Sequence, residues 1–293
     1  MTSNLDTVPP IDTAAPPELT PGGRSAMRSL LVVTAIVVTL SAAAGLGGLA
    51  WGISSVRVAA ETETLPADFS SLTIDTGDLP TAIRITSDRN VHEPRVRMRL
   101  LNTAKDDHQA LQVTRNGGAV NLTVTGTPSP LFDFGPPGEI MVTLPPDVAH
   151  RLSVTTKQQV GVMLSLTELD QLTVHNTDGA VILGGNARRI EIHTQSGDVQ
   201  TREPIVVTDA FLADSADGHV AVDFRETAPR TVDVTSQGSD VDITLPQGGP
   251  YLVRAQAGDH AQVRVPQTDD ASRAVAQVTA RAPEGSISIV TRR

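Results

Sequence analysis

Aspartate recurs at one place in a repeated pattern, and a row of carboxylates is the first arrangement here that could do chemistry. The acids stand next to a glycine, or one residue from it, in short polar segments between apolar runs, at Asp178, Asp198, Asp217, Asp240 and Asp259. Stacked along one edge, such oxygens are ligands that calcium prefers. The calcium-binding β-roll, however, uses the denser repeat G-G-x-G-x-D-x-U-x, which no segment here matches. Because aspartate also favours tight turns by hydrogen-bonding its own backbone, the pattern predicts corners and no metal site.

Four histidines lie near the same corners, at His175, His193, His219 and His260. His175 and His193 hold equivalent places in VHNT and IHTQ, two residues before the turn. If successive repeats stack, these two imidazoles lie close enough to share a metal. Each of them follows an inward aliphatic residue, so it points to solvent, where histidine is common. The sequence therefore predicts solvated side chains and no metal ligands.

The chain lacks the motifs of the common enzyme classes. It contains no Gly-x-Ser-x-Gly elbow, His-Glu-x-x-His helix, phosphate loop or dinucleotide fingerprint. The absence of cysteine excludes disulfides, thiolate zinc sites and thiol catalysis. Asp223 with Arg225, or Arg188 with Arg189, could imitate the charged groove of a polysaccharide-cleaving β-helix, but such pairs on an exposed strand are usually solvated. We predict no enzyme activity, and no catalytic, cofactor-binding or metal-binding residues.

The elements that position these side chains are repeated pairs of short strands. The repeated segments are LTIDTGDLPTAIRI (72–85), LQVTRNGGAVNLTV (111–124), LTVHNTDGAVIL (172–183), IEIHTQSGDVQT (190–201), FLADSADGHVAV (211–222), VDVTSQGSDVDITLP (232–246), LVRAQAGDHAQVRVP (252–266) and VTARAPEGSISIV (278–290). Apolar and polar residues alternate before and after each turn, which is typical of half-buried strands. The corner glycines at 179, 197, 218, 238 and 258 are 18, 21, 20 and 20 residues apart, which indicates a repeat architecture.

Two all-β arrangements fit this period. In a β-solenoid each repeat is one rung, and equivalent strands stack about 4.8 Å apart with aliphatic columns inside. In a β-sandwich the same strands pair as hairpins. The long period and the aromatic content of 2% favour the solenoid. The Pro/Gly-rich interruption PSPLFDFGPPGEI (128–140), with Phe132 and Phe134, is predicted to cap the solenoid or to form an exposed hydrophobic contact.

The N-terminal part differs in composition from the repeats. Residues 1–28 hold five prolines and few large apolar side chains, which predicts a disordered tail. Residues 29–53 include 24 consecutive uncharged positions, enough for one transmembrane helix. Arg24 and Arg28 precede this segment, which predicts a cytoplasmic N-terminus. A cleaved signal peptide is the alternative. A linker at 54–64 and an extracytoplasmic domain at 65–293 complete the predicted organisation.

The chain resembles the family of bacterial extracytoplasmic repeat domains known as putative adhesins. The resemblance rests on the T/S-x-G-D-aliphatic corners, the single N-terminal span, and strand ends such as Leu144-Pro145, Leu245-Pro246 and Val265-Pro266, and it covers about residues 65–293. It implies a right-handed, β-solenoid-like domain at the cell surface without an agreed enzymatic activity. The corners at Val160-Gly161 and Asp217-Gly218-His219 depart from the family pattern.

These observations predict a single-pass cell-membrane protein of the cell envelope. Its β-repeat domain is expected to adhere to, or bind, an envelope polysaccharide or a protein partner. The alternative is an accessory or sensor in envelope-stress signalling, and a polysaccharide-acting enzyme is a third hypothesis. No nucleic-acid partner is predicted, because a net charge of −10 repels a phosphate backbone.

Overall fold

The computed structural model describes residues 57–102, 111–125 and 138–292. The predicted tail, the predicted membrane span and the loop with Phe132 and Phe134 lie outside these residues. Val56–Arg293 forms one compact unit. Within the described residues, no helix is both long enough and apolar enough to span a membrane.

Nearly all of the regular secondary structure in the described residues is β-strand. Their strands are β1 (Arg57–Thr64), β2 (Ser71–Gly77), β3 (Thr81–Ser87), β4 (Arg95–Asn102), β5 (Leu111–Asn116), β6 (Ala119–Val124), β7 (Gly138–Leu144), β8 (Ser153–Ser165), β9 (Leu169–Leu183), β10 (Asn186–Thr201), β11 (Val206–Ser215), β12 (Val220–Asp223), β13 (Thr231–Ser236), β14 (Val241–Leu245), β15 (Tyr251–Ala257), β16 (Ala261–Arg264), β17 (Ala276–Ala282) and β18 (Ile287–Thr291). One short helix, α1 (Pro146–Ala149), begins at a proline, whose fixed φ suits a first helical turn.

The strands form rungs, each consisting of a first strand, a corner and a second strand. β8, β9 and β10 each run through a corner and supply both halves of a rung, and β2/β3, β11/β12 and β13/β14 are equivalent pairs. Neighbouring rungs pair in parallel and in register, so that Ile190 lies beside Leu172 and Val199 beside Val181. This parallel stacking confirms a solenoid-like fold and differs from the hairpin pairing of the sandwich alternative.

The core lies between the first strands and the second strands of the rungs. Strand β2 has strictly alternating burial, which is the period-2 pattern of a strand with one face inside. The inward residues are mostly Val, Ile and Leu, and they belong to one continuous hydrophobic cluster. Phe211 and Phe224 meet inside it with ring centroids 5.3 Å apart and ring planes at 81°. Each buried side chain of this size stabilises the fold by about 1.5–3 kcal/mol.

Two segments differ from their predicted roles. LQVTRNGGAVNLTV was predicted as a rung, but it forms the antiparallel hairpin β5–β6, with Asn116 opposite Ala119. The reason is its two-glycine loop: Gly117 has a φ of 59°, the left-handed conformation that tight hairpin turns require. The segment 54–64 was predicted as a linker, but β1 occupies most of it and pairs antiparallel with β4.

The last two repeats stack in the reverse of their chain order. β17 lies between β13 and β15, and β18 lies between β14 and β16. The chain therefore leaves a gap after β13/β14, forms β15/β16 beyond it, and returns to fill the gap with β17/β18. Residues 266–268 also contact the start of β15, where Tyr251 N donates to the Pro266 carbonyl at 2.9 Å.

Candidate functional site

The corners are places where backbones of successive rungs come very close. Gly179 has a φ of +125°, and a Cβ there would lie 1.8 Å from the carbonyl oxygen of Gly161. A Cβ at Gly218 would lie 1.9 Å from the oxygen of Gly197. Only glycine fits such an approach, so the recurring glycine is explained by backbone packing.

Two of the corner aspartates accept hydrogen bonds from backbone N–H groups. Asp198 Oδ1 accepts from the N–H of His219 at 3.0 Å, and Asp240 Oδ1 accepts from the N–H of Ser286 at 2.7 Å. Each bond joins one corner to a neighbouring one. In the described ranges, no group of three or more His, Cys, Asp or Glu side chains is arranged to hold a metal.

His175 and His193 lie side by side on neighbouring strands, as their equivalent places in two successive repeats predicted. Their rings stack with centroids 5.3 Å apart and planes 10° from parallel. In parallel rings the in-plane nitrogen lone pairs do not converge, so this arrangement does not suit a shared metal. His193 Nε2 instead lies 3.1 Å from Glu191 Oε1, and His219 Nε2 lies 3.4 Å from Asp242 Oδ2.

The charged residues considered for catalysis are held in separate contacts. Arg188 Nε lies 2.7 Å from Asp170 Oδ1, which holds the pKa of Asp170 below its usual range. Asp223 Oδ1 lies 3.2 Å from Arg292 Nη1. Arg225 donates from Nε to the Pro204 carbonyl at 3.1 Å. Each of these contacts joins residues distant in sequence, as expected for side chains that hold rungs together.

A groove of about 750 Å³ runs beside the corners of several rungs. Its outward wall is a row of five residues, one from each of five neighbouring strands. Each residue of the row is paired in register with the next. The side chains of this wall are Asp75, Lys157, His175, His193 and Asp214. Neighbouring rungs are about 4.8 Å apart, so these side chains form a continuous row that a ligand can span.

The floor of the groove is a row of buried polar side chains that sequence reasoning missed. Gln158, Asn176 and Thr194 are in register, and they are only 4%, 6% and 8% exposed. Gln158 Oε1, both polar atoms of Asn176 and Thr194 Oγ1 are buried, and they have no hydrogen-bond partner among the residues that the structure describes. In the next rung, Ser215 Oγ accepts from the N–H of Gly218 at 2.8 Å. The available signal was a polar residue three positions before the glycine, at an inward place in the alternation, in the four corners with Gly161, Gly179, Gly197 and Gly218.

The family model for Toastrack DUF4097 matches residues 69–289, most of the chain. The chain belongs to the Toastrack DUF4097 family. This assignment confirms the resemblance drawn from the corner motifs.

Several crystal structures are similar to this Toastrack chain. A putative adhesin from Parabacteroides merdae has a TM-score of 0.46 and 10% identity, with 80% of this chain and 96% of that chain covered. A putative lipid binding protein from Parabacteroides distasonis has a TM-score of 0.44 and 13% identity, covering 79% and 96%. A putative cell adhesion protein from Clostridium sporogenes has a TM-score of 0.36 and 9% identity, covering 80% and 100%. These names are not those of enzymes. No curated protein matches the chain.

Electrostatics in the groove of this Toastrack domain centre on the stacked histidines. Desolvation lowers the pKa of His175 below its ordinary value of 6.5, as do His193 and Lys157, although Glu191 raises it. The hydrogen bond from His193 lowers the pKa of Glu191. At neutral pH the uncharged form of the His175 imidazole is therefore favoured. The wall also carries Lys157 and the carboxylates of Asp75 and Asp214.

The pKa of His175 predicts that the Toastrack domain is less stable in acid. Because the folded-state pKa lies below 6.5, the unfolded chain binds more protons between the two values. The contribution of His175 to stability is fully present above pH 6.5, the ordinary pKa of the group. It is lost as the pH falls from there through the lower pKa of the folded state. We expect His175→Gln to reduce the difference in urea midpoint between about pH 7.5 and 5.5. His260→Gln, at an exposed corner outside the groove, is the control, and an equal reduction there would contradict the assignment.

Proposed function

We propose that this protein is a single-pass membrane protein of the bacterial cell envelope. Its repeat domain lies outside the cytoplasm and binds an envelope polysaccharide or partner surface without catalysing a reaction. The uncharged segment 30–53, with Arg24 and Arg28 before it, supports the anchor and its orientation. The proposal for the domain follows from its geometry.

The observation that carries the binding role is the groove at the corners. Its wall brings together side chains from successive rungs, above a floor of buried polar residues. The wall presents exposed side chains such as Lys157 and His175 to a ligand, whereas the unpartnered atoms of the floor are buried. The row continues from rung to rung, which suits an extended ligand better than a small substrate.

The proposed topology predicts opposite labelling of the two ends of the chain. The protein has no cysteine, so a single introduced cysteine is the only thiol that a maleimide can label. We expect Ala271→Cys, at an exposed position of the domain, to be labelled by a membrane-impermeant maleimide in intact cells. Ser3→Cys should be labelled only after the cells are opened. Labelling of both or of neither in intact cells would contradict this topology.

Binding is tested by co-sedimentation of the full-length protein, in a neutral detergent, with purified cell-wall polysaccharide. We expect retention in the pellet, and release by excess soluble polysaccharide. The control is the same protein unfolded in urea and diluted immediately before mixing. Absence of retention on polysaccharide and on intact envelopes would contradict the proposed binding role.

A further inference from the structure

Four exposed arginines lie side by side on the outward face of the second strands. Arg95, Arg97 and Arg99 are alternate residues of β4, and all three are exposed. Arg84 is exposed on β3, and it lies in the same register row as Arg97, because both are paired with Met141 on β7. Neighbouring strands are about 4.8 Å apart, so the four side chains form one continuous surface. Arg84, Arg95, Arg97 and Arg99 are called the basic face below.

The basic face has little counter-charge of its own. Within the described ranges, the side chains of Arg95, Arg97 and Arg99 form no ion pair and no hydrogen bond. Arg84 Nε lies 3.9 Å from Glu139 Oε1, which is a long ion pair. Glu139 is the one carboxylate among the described outward residues of β1, β3, β4 and β7. In a chain with a net charge of −10, four arginines against one glutamate are a local exception.

Aliphatic side chains continue the same register row toward the middle of the sheet. Arg84 is paired with Leu164 on β8, and Leu164 is paired with Ile182 on β9. Met141, Leu164 and Ile182 are half-buried, and they point outward, since the residues on both sides of each one are buried. Outward positions of a half-buried strand are usually polar. These three residues form an apolar strip that adjoins the basic face.

The charge of this surface changes sign in the later rungs. The register row continues from Ile182 to Gln200, Ala221 and Asp242. Asp242 is exposed on β14, and Asp198 is exposed on β10, two residues before Gln200. The outward surface is therefore basic and apolar near β1 and acidic farther from it. The rungs of β10 and β14 are called the acidic rungs.

We propose that the basic face and the apolar strip lie against the lipid bilayer that anchors the chain, and that they bind anionic phospholipids. Guanidinium groups donate paired hydrogen bonds to the phosphate oxygens of the headgroups. The apolar strip contacts the boundary between headgroups and acyl chains. The acidic rungs are repelled by the same anionic surface and tilt away from it. The inference rests on the membrane anchor of the proposed function and adds the surface of the domain that contacts lipid.

The start of the domain brings this surface close to the bilayer. In the proposed topology the membrane span ends at residue 53, and β1 begins at Arg57. The chain between these two residues reaches at most about 14 Å. β1 is paired along its whole length with β4, which holds three of the four arginines. The basic face therefore begins one strand away from the point where the chain enters the domain.

A bilayer fits these groups better than other anionic partners. A bare phosphate or a soluble acidic polymer uses the arginines but leaves the apolar strip in water. An acidic protein could cover both, but it is not tethered to this domain. The bilayer is tethered by a few residues, and a short tether gives it a high effective concentration at this surface.

The proposal is tested with the full-length protein in nanodiscs that differ in lipid charge. The chain has no cysteine, so Thr62→Cys accepts a single fluorescent dye at an exposed position paired with Arg97. Quenching of the dye by a lipid that carries a nitroxide on its headgroup measures the ratio of docked to undocked domain. We expect this ratio to be at least about fivefold higher when about a third of the phosphatidylcholine is replaced by phosphatidylglycerol. Equal quenching in the two lipid compositions would overturn the proposal.

A second label position shows which part of the domain touches the lipid. Ala271→Cys is exposed, and it lies beyond the acidic rungs, next to the terminal rung β15/β16. We expect a dye at this position to remain unquenched in both lipid compositions. Quenching as strong as that at Thr62→Cys would mean that the domain contacts lipid without a preferred face, and the proposed surface would be wrong.

Charge variants separate the basic face from the overall charge of the domain. The double variant Arg97→Gln with Arg99→Gln is expected to lower the docked ratio about twenty-five-fold, since each arginine near an anionic surface contributes about fivefold. Arg254→Gln with Arg264→Gln removes the same charge from exposed positions of the terminal rung and should leave the ratio unchanged. An equal loss in both double variants would contradict the assignment to the basic face.

A variant of the apolar strip tests whether lipid is contacted beyond the headgroup charge. Leu164→Gln is expected to lower the docked ratio about fivefold, the effect of removing about 40 Å² of apolar contact. Leu252→Gln, at a half-buried outward position of β15, is the matched control and should change nothing. Urea midpoints establish that both variants are folded. Unchanged docking in folded Leu164→Gln would show that the strip does not contact the bilayer.

Glycerophosphate distinguishes a bilayer from a soluble source of the same phosphate chemistry. It is added at the concentration of the anionic headgroups in the nanodiscs. We expect the dye at Thr62→Cys to remain quenched, because the free compound offers neither the apolar contact nor the tether. Release of the domain would mean that a soluble phosphate is the ligand, and the proposed bilayer contact would be wrong.

The results distinguish this inference from the proposed function. If the topology and the co-sedimentation with polysaccharide are as expected while the dye is not quenched, the lipid contact is wrong and the proposed function remains. If labelling in intact cells contradicts the topology, the proposed function fails, whereas quenching in nanodiscs still reports whether the basic face binds anionic lipid.

Discussion

Gly179→Ala is expected to reduce the free energy of unfolding by about 4 kcal/mol or more, which is a large share of the stability of an ordinary domain. The new Cβ would lie 1.8 Å from the carbonyl oxygen of Gly161, which belongs to the neighbouring rung. To relieve this clash, the two stacked corners must move apart, and every rung beyond them must move with them. Urea unfolding, monitored by far-ultraviolet circular dichroism, measures the loss.

Gly248→Ala is the matched control for this prediction. Gly248 has the same φ of +125°, but a Cβ there meets no atom of the described residues within 4 Å. The control therefore carries the backbone strain alone, which costs about 1–3 kcal/mol. If both variants lose the same amount, the close approach of the corners is not the reason for glycine at position 179.

Phe211→Ala is expected to cost about 3–5 kcal/mol, because it leaves a large cavity inside the stack. Phe211 is fully buried in β11, and its ring packs edge-to-face on Phe224 with centroids 5.3 Å apart. Such a ring pair contributes about 0.5–1.5 kcal/mol beyond the area that it buries. The same urea measurement applies, with the amplitude of the transition as a check on cooperativity.

Phe211→Leu retains most of the buried volume and should lose clearly less, about 1.5 kcal/mol. Val275→Ala, at a position that is 51% exposed, should change the midpoint little. A loss below about 1 kcal/mol in Phe211→Ala would mean that neighbouring rungs collapse into the space. The inner aliphatic columns would then be less tightly packed than the structure shows.

The strands and corners were predictable because they depend on local sequence. Alternating burial follows directly from alternating residue types, and the corner glycines repeat at a nearly constant spacing. The stacking order was not predictable, since similar rungs present similar edges and the choice among them depends on long-range packing. The hairpin β5–β6 was missed because its strands alternate in the same way, and only the two-glycine loop sets it apart.

The candidate site was predictable only in part. The pairing of His175 with His193 followed from their equivalent places in two repeats. Lys157 was missed because its segment, with a corner at Val160-Gly161, departs from the repeat pattern. The role of Asn176 depends on whether its amide finds a partner inside the stack, and sequence alone does not contain that information.

The reversed order of the last two repeats affects what happens when the chain is shortened. Residues 276–291 form β17 and β18, which lie between the rung before them and the rung β15/β16. Deletion of residues 276–291 would therefore remove an internal layer and leave β15/β16 without the neighbouring rung. For the same reason a nascent chain cannot complete this part of the stack until residues 276–291 have been synthesised.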